Sequence, residues 1–181
     1  MKALAPGFLI AMPQLQDPTF RQSVILMVEH NDEGAMGIVI NRTSELTFGE
    51  LAKNQDLSIA RSRERELVYV GGPVDPSRGF VFHNSTHVRE RNELLPGLFL
   101  SVTTDALEPL LVDESATLRF CLGYAGWGAG QLERELREGS WLFSEASREA
   151  VLVTEPAKVW ETVIQAMGIS PGRLVTTGGL N

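Results

Sequence analysis

The sequence predicts an α+β fold with a mixed, largely antiparallel sheet, and three observations carry that prediction. Strand-like and helix-like segments interleave along the chain, and several connections between them are too short for parallel crossovers. Two apolar runs, 23–30 and 35–42, are separated only by turn-forming residues, as in a hairpin. The 181 residues, 43% of them hydrophobic, suffice for a sizeable core, and no composition break divides them, so 1–181 is read as one domain.

Pro6, Gly7 and Pro13 bracket Phe8-Leu9-Ile10-Ala11-Met12, and 7–12 is the first expected strand. Lys2 precedes this run, but it is shorter than the roughly 7–15 apolar residues of a signal-peptide core. After the Asp17-Pro18 turn, 23–30 reads as a strand covered on both faces, because its apolar residues run on without alternation. His30-Asn31-Asp32-Glu33-Gly34 turns the chain, and 35–42 returns as the second strand of the hairpin.

Thr47 and Glu50 have capping-box spacing, which places a short helix over 48–55. Residues 54–65 are polar and read as a mobile connection. Within it, Arg61-Ser62-Arg63-Glu64-Arg65 is the densest basic stretch, and its interrupting acid marks a solvated loop. Strands follow at 66–70 and 79–83, on either side of Gly71-Gly72-Pro73-Val74, and the two are expected to pair. A strand at 98–102 and one or two helical turns over 105–112, weakened by Pro109, come next.

Residues 117–122 form a strand that runs into four glycines within eight residues, Gly123, Gly126, Gly128 and Gly130, with Tyr124 and Trp127 between them. So many glycines cost backbone entropy, so something must approach this backbone closely. The reading is a tight strand-to-helix corner, with the helix over 131–137 stopped by Gly139. Short strands at 141–143 and 151–153 precede a last helix, capped by Thr154 or Glu155, with Pro156 in its first turn and an apolar stripe of Val159, Trp160, Val163, Ile164 and Met167.

Chemistry is harder to read. The formal net charge of -7 disfavours direct nucleic-acid binding, which draws its affinity from Lys and Arg on phosphate. No stretch approaches the roughly 18 apolar residues of a membrane span. The lone Cys121 excludes an internal disulfide and fits a reducing, cytoplasmic setting; within an apolar strand it reads as packing. His30, His83 and His87 make no metal-ligand pattern, so neither metal nor cofactor is expected. The glycine corner has the strand–glycine–helix order of an anion cradle, but neither the dinucleotide nor the P-loop spacing. Glu133 and Glu135, two apart on a helix, point in different directions. Asn41 and Arg42 end an apolar strand, where they either line a cleft or meet water.

Together, several motifs resemble the YqgE/AlgH family of bacterial proteins. They are Phe8 to Pro13, Asp17-Pro18-x-Phe20, Glu29-His30-Asn31-x-x-Gly34-Ala35-Met36-Gly37-x-Val39-Ile40-Asn41-Arg42, Gly71-Gly72-Pro73-Val74 and Gly123-Tyr124-Ala125-Gly126-Trp127-x-x-Gly130-Gln131-Leu132-Glu133-x-Glu135. Thr43 departs from the Pro that members often carry there, and the match weakens after Glu145. The resemblance implies an α+β domain whose sheet is branched and partly barrel-like, surrounded by helices. It also implies a role in regulating transcription, and it carries over no established catalytic residues.

These readings favour a non-enzymatic, cytoplasmic binding module with an indirect regulatory role, acting on an unidentified small ligand or protein partner. Its expected surface comprises His30, Asn31, Gly34, Met36, Gly37, Asn41, Arg42, Gly71, Gly72, Pro73, Gly123, Tyr124, Gly126, Trp127, Gly130, Gln131, Glu133 and Glu135, because strand-end loops on a rigid sheet present ligand-contacting groups. The alternative is an enzyme for a small phosphorylated or acyl substrate, with His30 as base, Arg42 orienting an anion and Glu133 or Glu135 assisting. It requires those side chains to converge. Direct DNA binding is the third reading.

Overall fold

The computed structural model describes residues 3–176. Lys2, on which the signal-peptide reading turned, lies outside the described residues, as do Met1 and 177–181. Strand β1 (Gly7–Ala11) lies between β2 (Val24–Asn31) and β10 (Trp141–Ser144), antiparallel to both. β2 and β3 (Gly34–Val39) form the expected hairpin, with Asn31 opposite Gly34 and a bulge between Met27 and Glu29. Alternate residues explain the unbroken apolar runs. Phe8, Ile10, Val24, Leu26 and Ile38 face one core, while Leu9, Ala11, Ile25, Met27 and Val39 face a second on the opposite side.

The longest strand, β9 (Leu118–Gly128), organises the rest. The expected corner is not there: one strand continues through Gly123, Gly126 and Gly128, and only Ala129 and Gly130 turn the chain into the next helix. Along one edge of β9 runs β6 (Val74–His83), antiparallel. The other edge is shared. β3 pairs with its carboxyl half, Gly37 to Gly34 opposite Ala125 to Gly128, and β5 (Leu67–Val70) runs parallel to Cys121 and Leu122. β5 and β6, expected to pair with each other, flank β9 instead. The short connection of residues 71–73 misleads here because β9 is inserted between them.

The sheet therefore branches at β9, and Gly71 sits in the fork. Its N–H donates to Leu122 O at 2.7 Å and its carbonyl accepts from Val39 N at 2.8 Å, joining both branches. Gly72 (φ 154°) and Gly123 (φ 81°) cross there so closely that a Cβ on Gly72 would enter the Tyr124 carbonyl, and one on Gly123 the Gly72 carbonyl. The close approach demanded by the glycines is thus made by the chain's own backbone. Beyond β5 lies β4 (Thr43–Thr47), and beyond β6 lie β8 (Leu98–Ser101) and β7 (Asn92–Leu95), which complete ten mostly antiparallel strands in a curled, partly barrel-like sheet.

Six helices surround the sheet among the described residues. α1 (Phe48–Asn54) starts as expected, with Thr47 Oγ1 accepting from Glu50 N at 3.1 Å. α2 (Leu107–Val112) tolerates Pro109 because it falls in the first turn, where no intrahelical donor is lost. Both cover a third core around Val68, Val81 and Phe120. α3 (Gln131–Arg137) seals the second core with Leu132, and the turn ends at Gly139 (φ 78°). The expected strand at 151–153 is instead part of α4 (Arg148–Leu152), whose Ser147 cap accepts from Ala150 N. α5 (Pro156–Ala166) packs Val159, Val163 and Ile164 into the first core, and Trp160 Nε1 donates to Ala11 O at 2.8 Å. α6 (Pro171–Thr176) follows. The basic stretch at 61–65 is not simply a solvated loop: Arg63 is buried and donates to the carbonyls of Asp113 and Ala116, with Glu66 as its ion-pair partner.

Candidate functional site

The expected surface divides into three places. At the first, the carboxyl end of β2 meets α3. His30 Nε2 stands 2.6 Å from Glu133 Oε1, and His30 Nδ1 accepts the backbone N–H of Leu4 at 3.0 Å. A backbone amide can only donate, so Nδ1 carries the lone pair and Nε2–H donates to the carboxylate. The hydrogen bond from His30 holds the Glu133 carboxyl below its ordinary value, aided by its own backbone N–H. Both ring nitrogens are occupied, and the side chains are largely covered.

The neighbouring acid points the other way, as expected for residues two apart on a helix. Glu135 Oε2 accepts the indole N–H of Trp127 at 2.7 Å and that of Trp141 at 3.2 Å, and Gln131 donates to Oε1 at 3.4 Å. Gln131 in turn accepts from Gly128 N at 3.0 Å. Trp127 is 7% exposed and meets Trp141 edge-on at 6.2 Å between centroids, so it packs a core and offers no exposed anchor to a partner. With Gly128 N–H donating to the Gln131 side chain and only seven residues in α3, this turn is a weaker anion cradle than the strand–glycine–helix order suggests. Cys121 is likewise core: burial pushes its thiol up to about 12.

At the second place, the fork, Gly71, Gly72 and Gly123 interlock backbones, Pro73 is exposed, and Tyr124 is half-buried edge-on to Phe80 with the Arg78 guanidinium 5.6 Å from its ring centre. Gly34 and Gly37 are similarly structural, since a Cβ would strike the Trp127 carbonyl and the Ile25 side chain respectively. Met36 packs at the edge of the first core. Asn31 closes its own turn by accepting from Glu33 N, and Gly126 and Gly130 lie exposed.

The third place is the opposite end of the hairpin. Asn41 Oδ1 accepts from Val24 N and its amide donates to Gln22 O, while Arg42 donates to the carbonyls of Pro18 and Arg21. Burial lowers the Arg42 guanidinium from its ordinary value, opposed by Asp17. Ala35, opposite His30, precedes Arg42 by seven residues. At the rise of a strand this separates His30 and Arg42 by about 20 Å. The constellation required by the enzyme reading does not form.

What Asn41 and Arg42 do line is a cavity of about 790 Å³, walled also by Arg21, Trp160 and Glu161. It shares Thr43, Pro156 and Ala157 with a second cavity of about 510 Å³, lined by Phe48, Tyr69, Leu118, Arg119 and Leu152. The pair flanks the amino end of α5, which no side chain caps. Sequence reasoning missed this second cavity. Its available signal was Arg119, a cation between Leu118 and Phe120 in an apolar strand with no acid beside it. A third cavity, about 620 Å³, lies between α1, β6 and the turn at 102–105. Among the described residues, no group of three or more His, Cys, Asp or Glu could hold a metal ion, and no helix is long and apolar enough to cross a membrane.

A branched, mostly antiparallel sheet forked at interlocking glycines, with α3 sealed over two tryptophans, defines a class of α+β protein that is recognisable in comparison with known chains. The chain belongs to the AlgH-like family, whose profile matches residues 8–172. It is 59% identical over the full length of both chains to a protein of Myxococcus xanthus described as a UPF0301 protein. A UPF0301 protein of Alcanivorax borkumensis is 40% identical, with 94% of this chain and 93% of that one covered. The solution structure of the AlgH protein from Pseudomonas aeruginosa superposes with a TM-score of 0.75 at 36% identity, covering 99% of this chain and 97% of that one. A crystal structure from Corynebacterium diphtheriae, 22% identical with a TM-score of 0.71, shares the fold.

Proposed function

We propose that this protein is a non-enzymatic binding module with an indirect regulatory role, and that it binds at the double cavity flanking α5. The observation carrying this reading is that the cavities joined through Thr43, Pro156 and Ala157 are the sizeable concavity nearest to expected site residues, Asn41 and Arg42. Each volume lies within the roughly 300–1,000 Å³ of small-molecule sites. By contrast, His30, Glu133, Gln131 and Glu135 spend polar atoms on one another, on Leu4 and on two indoles, which leaves His30 and these two glutamates poorly poised as acid or base for a substrate. Regulation would follow from occupancy of the groove rather than from contact with DNA, which a net charge of -7 disfavours.

The test is native mass spectrometry of the protein purified gently from its own host, beside an Ala157→Phe variant. Ala157 is exposed on α5 and lines both cavities, so the added ring fills the groove with little effect on folding. A reproducible added mass that A157F loses supports the reading. A clean apo mass in both removes it and shifts weight to protein partners. A gel shift with duplex DNA at low salt should show no complex, and a saturable shift there would revive direct binding.

A further inference from the structure

The smaller cavity is lined by a charge that no carboxylate among the described residues pairs with. Arg119 is 9% exposed, and its Nη2 donates to Thr154 O at 2.6 Å. Its Nη1 is buried without any hydrogen-bond partner. Among the described residues it forms no ion pair with a carboxylate, and its guanidinium lies 5.3 Å from the centre of the Tyr69 ring. Buried cations are ordinarily paired, because a charge taken out of water unpaired is a standing cost. Arg63 shows the usual solution in the same molecule, with Glu66 beside it. Tyr69, whose hydroxyl can donate a hydrogen bond, lines the same cavity.

Three features converge on one space of about 510 Å³: a guanidinium with one unpartnered nitrogen, a tyrosine hydroxyl and the uncapped amino end of the 11-residue α5. Each favours negative charge. The rest of the lining constrains the ligand's body. Phe48, Leu67, Leu118 and Leu152 make it largely apolar, and Glu66 and Glu155 would repel a second negative charge. We infer that Arg119 anchors a small organic carboxylate, a monoanion with an apolar body, in this cavity. The inference rests on the binding-module reading and gives its ligand class; a phosphate dianion fits less well because of the two acids.

The test uses hexanoate, its neutral counterpart hexanol, and inorganic phosphate, titrated separately into the whole protein at pH 7. The readout is the saturable shift of the Ala157 and Lys158 backbone amides in 15N–1H spectra. Hexanoate should move both amides and bind at least tenfold more tightly than hexanol or phosphate. Arg119→Met should lose that preference, and Arg119→Lys should keep part of it. The hexanoate-to-hexanol comparison needs no variant, so misfolding of R119M would not shield the inference. Equal binding of hexanoate and hexanol would overturn the anion anchor while leaving a binding groove. Stronger binding of phosphate would replace the ligand class and overturn the carboxylate assignment. No saturable shift with any probe would overturn the anchor, and the native-mass experiment then decides the module reading on its own.

Discussion

Substituting the motif glycines one at a time should separate those that hold the fork from those that merely turn the chain. In Gly123→Ala the new Cβ occupies a left-handed position at φ 81° and meets the Gly72 carbonyl, with the Val74 carbonyl oxygen 3.2 Å away. A left-handed L-residue costs about 1–2 kcal/mol. The clash adds to this by pushing apart the crossing held by Gly71 N–H to Leu122 O and Val39 N–H to Gly71 O, at 2.7 and 2.8 Å. Each such bond contributes about 1 kcal/mol net, so the whole loss is about 3–4 kcal/mol. Gly130→Ala carries the φ penalty alone, since nothing lies within 4 Å of its Cβ, and should cost about 1–2 kcal/mol. Gly126→Ala, exposed on a strand with only Tyr124 nearby at 3.7 Å, should cost less than about 0.5 kcal/mol. Urea unfolding reads these as midpoint shifts; with a slope of about 2 kcal/mol per molar, G123A should fall by about 2 M. If G123A unfolds within 0.5 M of the parent, or if G126A is the more damaging, the fork is not what these glycines are for.

Three further outcomes follow from the site geometry. Glu135→Leu strands two indole N–H groups and should destabilise by about 2–4 kcal/mol, whereas Glu135→Gln, which can still accept, should cost less than half as much in the same urea assay. Because the His30 hydrogen bond lowers the Glu133 carboxyl in the folded state, its contribution is fully present above the ordinary value of 4.5 and is lost as pH falls through the lowered one. Acid titration of stability should therefore be shallower in Glu133→Gln, and identical acid limbs would refute the link. With its thiol pushed up to about 12 by burial, Cys121 should react with an aromatic disulfide reagent at pH 8 only as fast as the protein opens, so a rapid native burst of labelling would contradict its burial.

The elements that local physics controls were legible in the sequence. The β2–β3 hairpin, the Thr47 cap of α1, α3 up to Gly139 and the Pro156 start of α5 each rest on a few neighbouring residues, and each stands where those residues put it. What misled was glycine read as punctuation. Ala125 and Trp127 point inward while Gly126 and Gly128 point outward, a period of two that marks a strand, yet glycine density outweighed it. The partner that required Gly123, namely Gly72, lies some fifty residues away, and no local rule reaches it. Val151-Leu152-Val153 failed for the converse reason: two β-branched residues suggested a strand, while Ser147 with Glu149 behind it had already begun a helix.

The same physics bears on where function should be sought. The residues that make the sequence recognisable are largely committed to holding it together: glycines at the fork, tryptophans against Glu135, His30 against Glu133 and Leu4. A side chain whose donors and acceptors are all satisfied internally has little left to offer a ligand, and removing one would first be read as lost stability. Arg119 is the reverse case. It contributes a buried charge with an unmet donor, a feature that weakens the fold unless something outside the chain completes it. Stability therefore points at α3 and the fork, and binding at α5, so substitutions confined to the α5 groove are the ones that should change what the protein does without changing whether it folds.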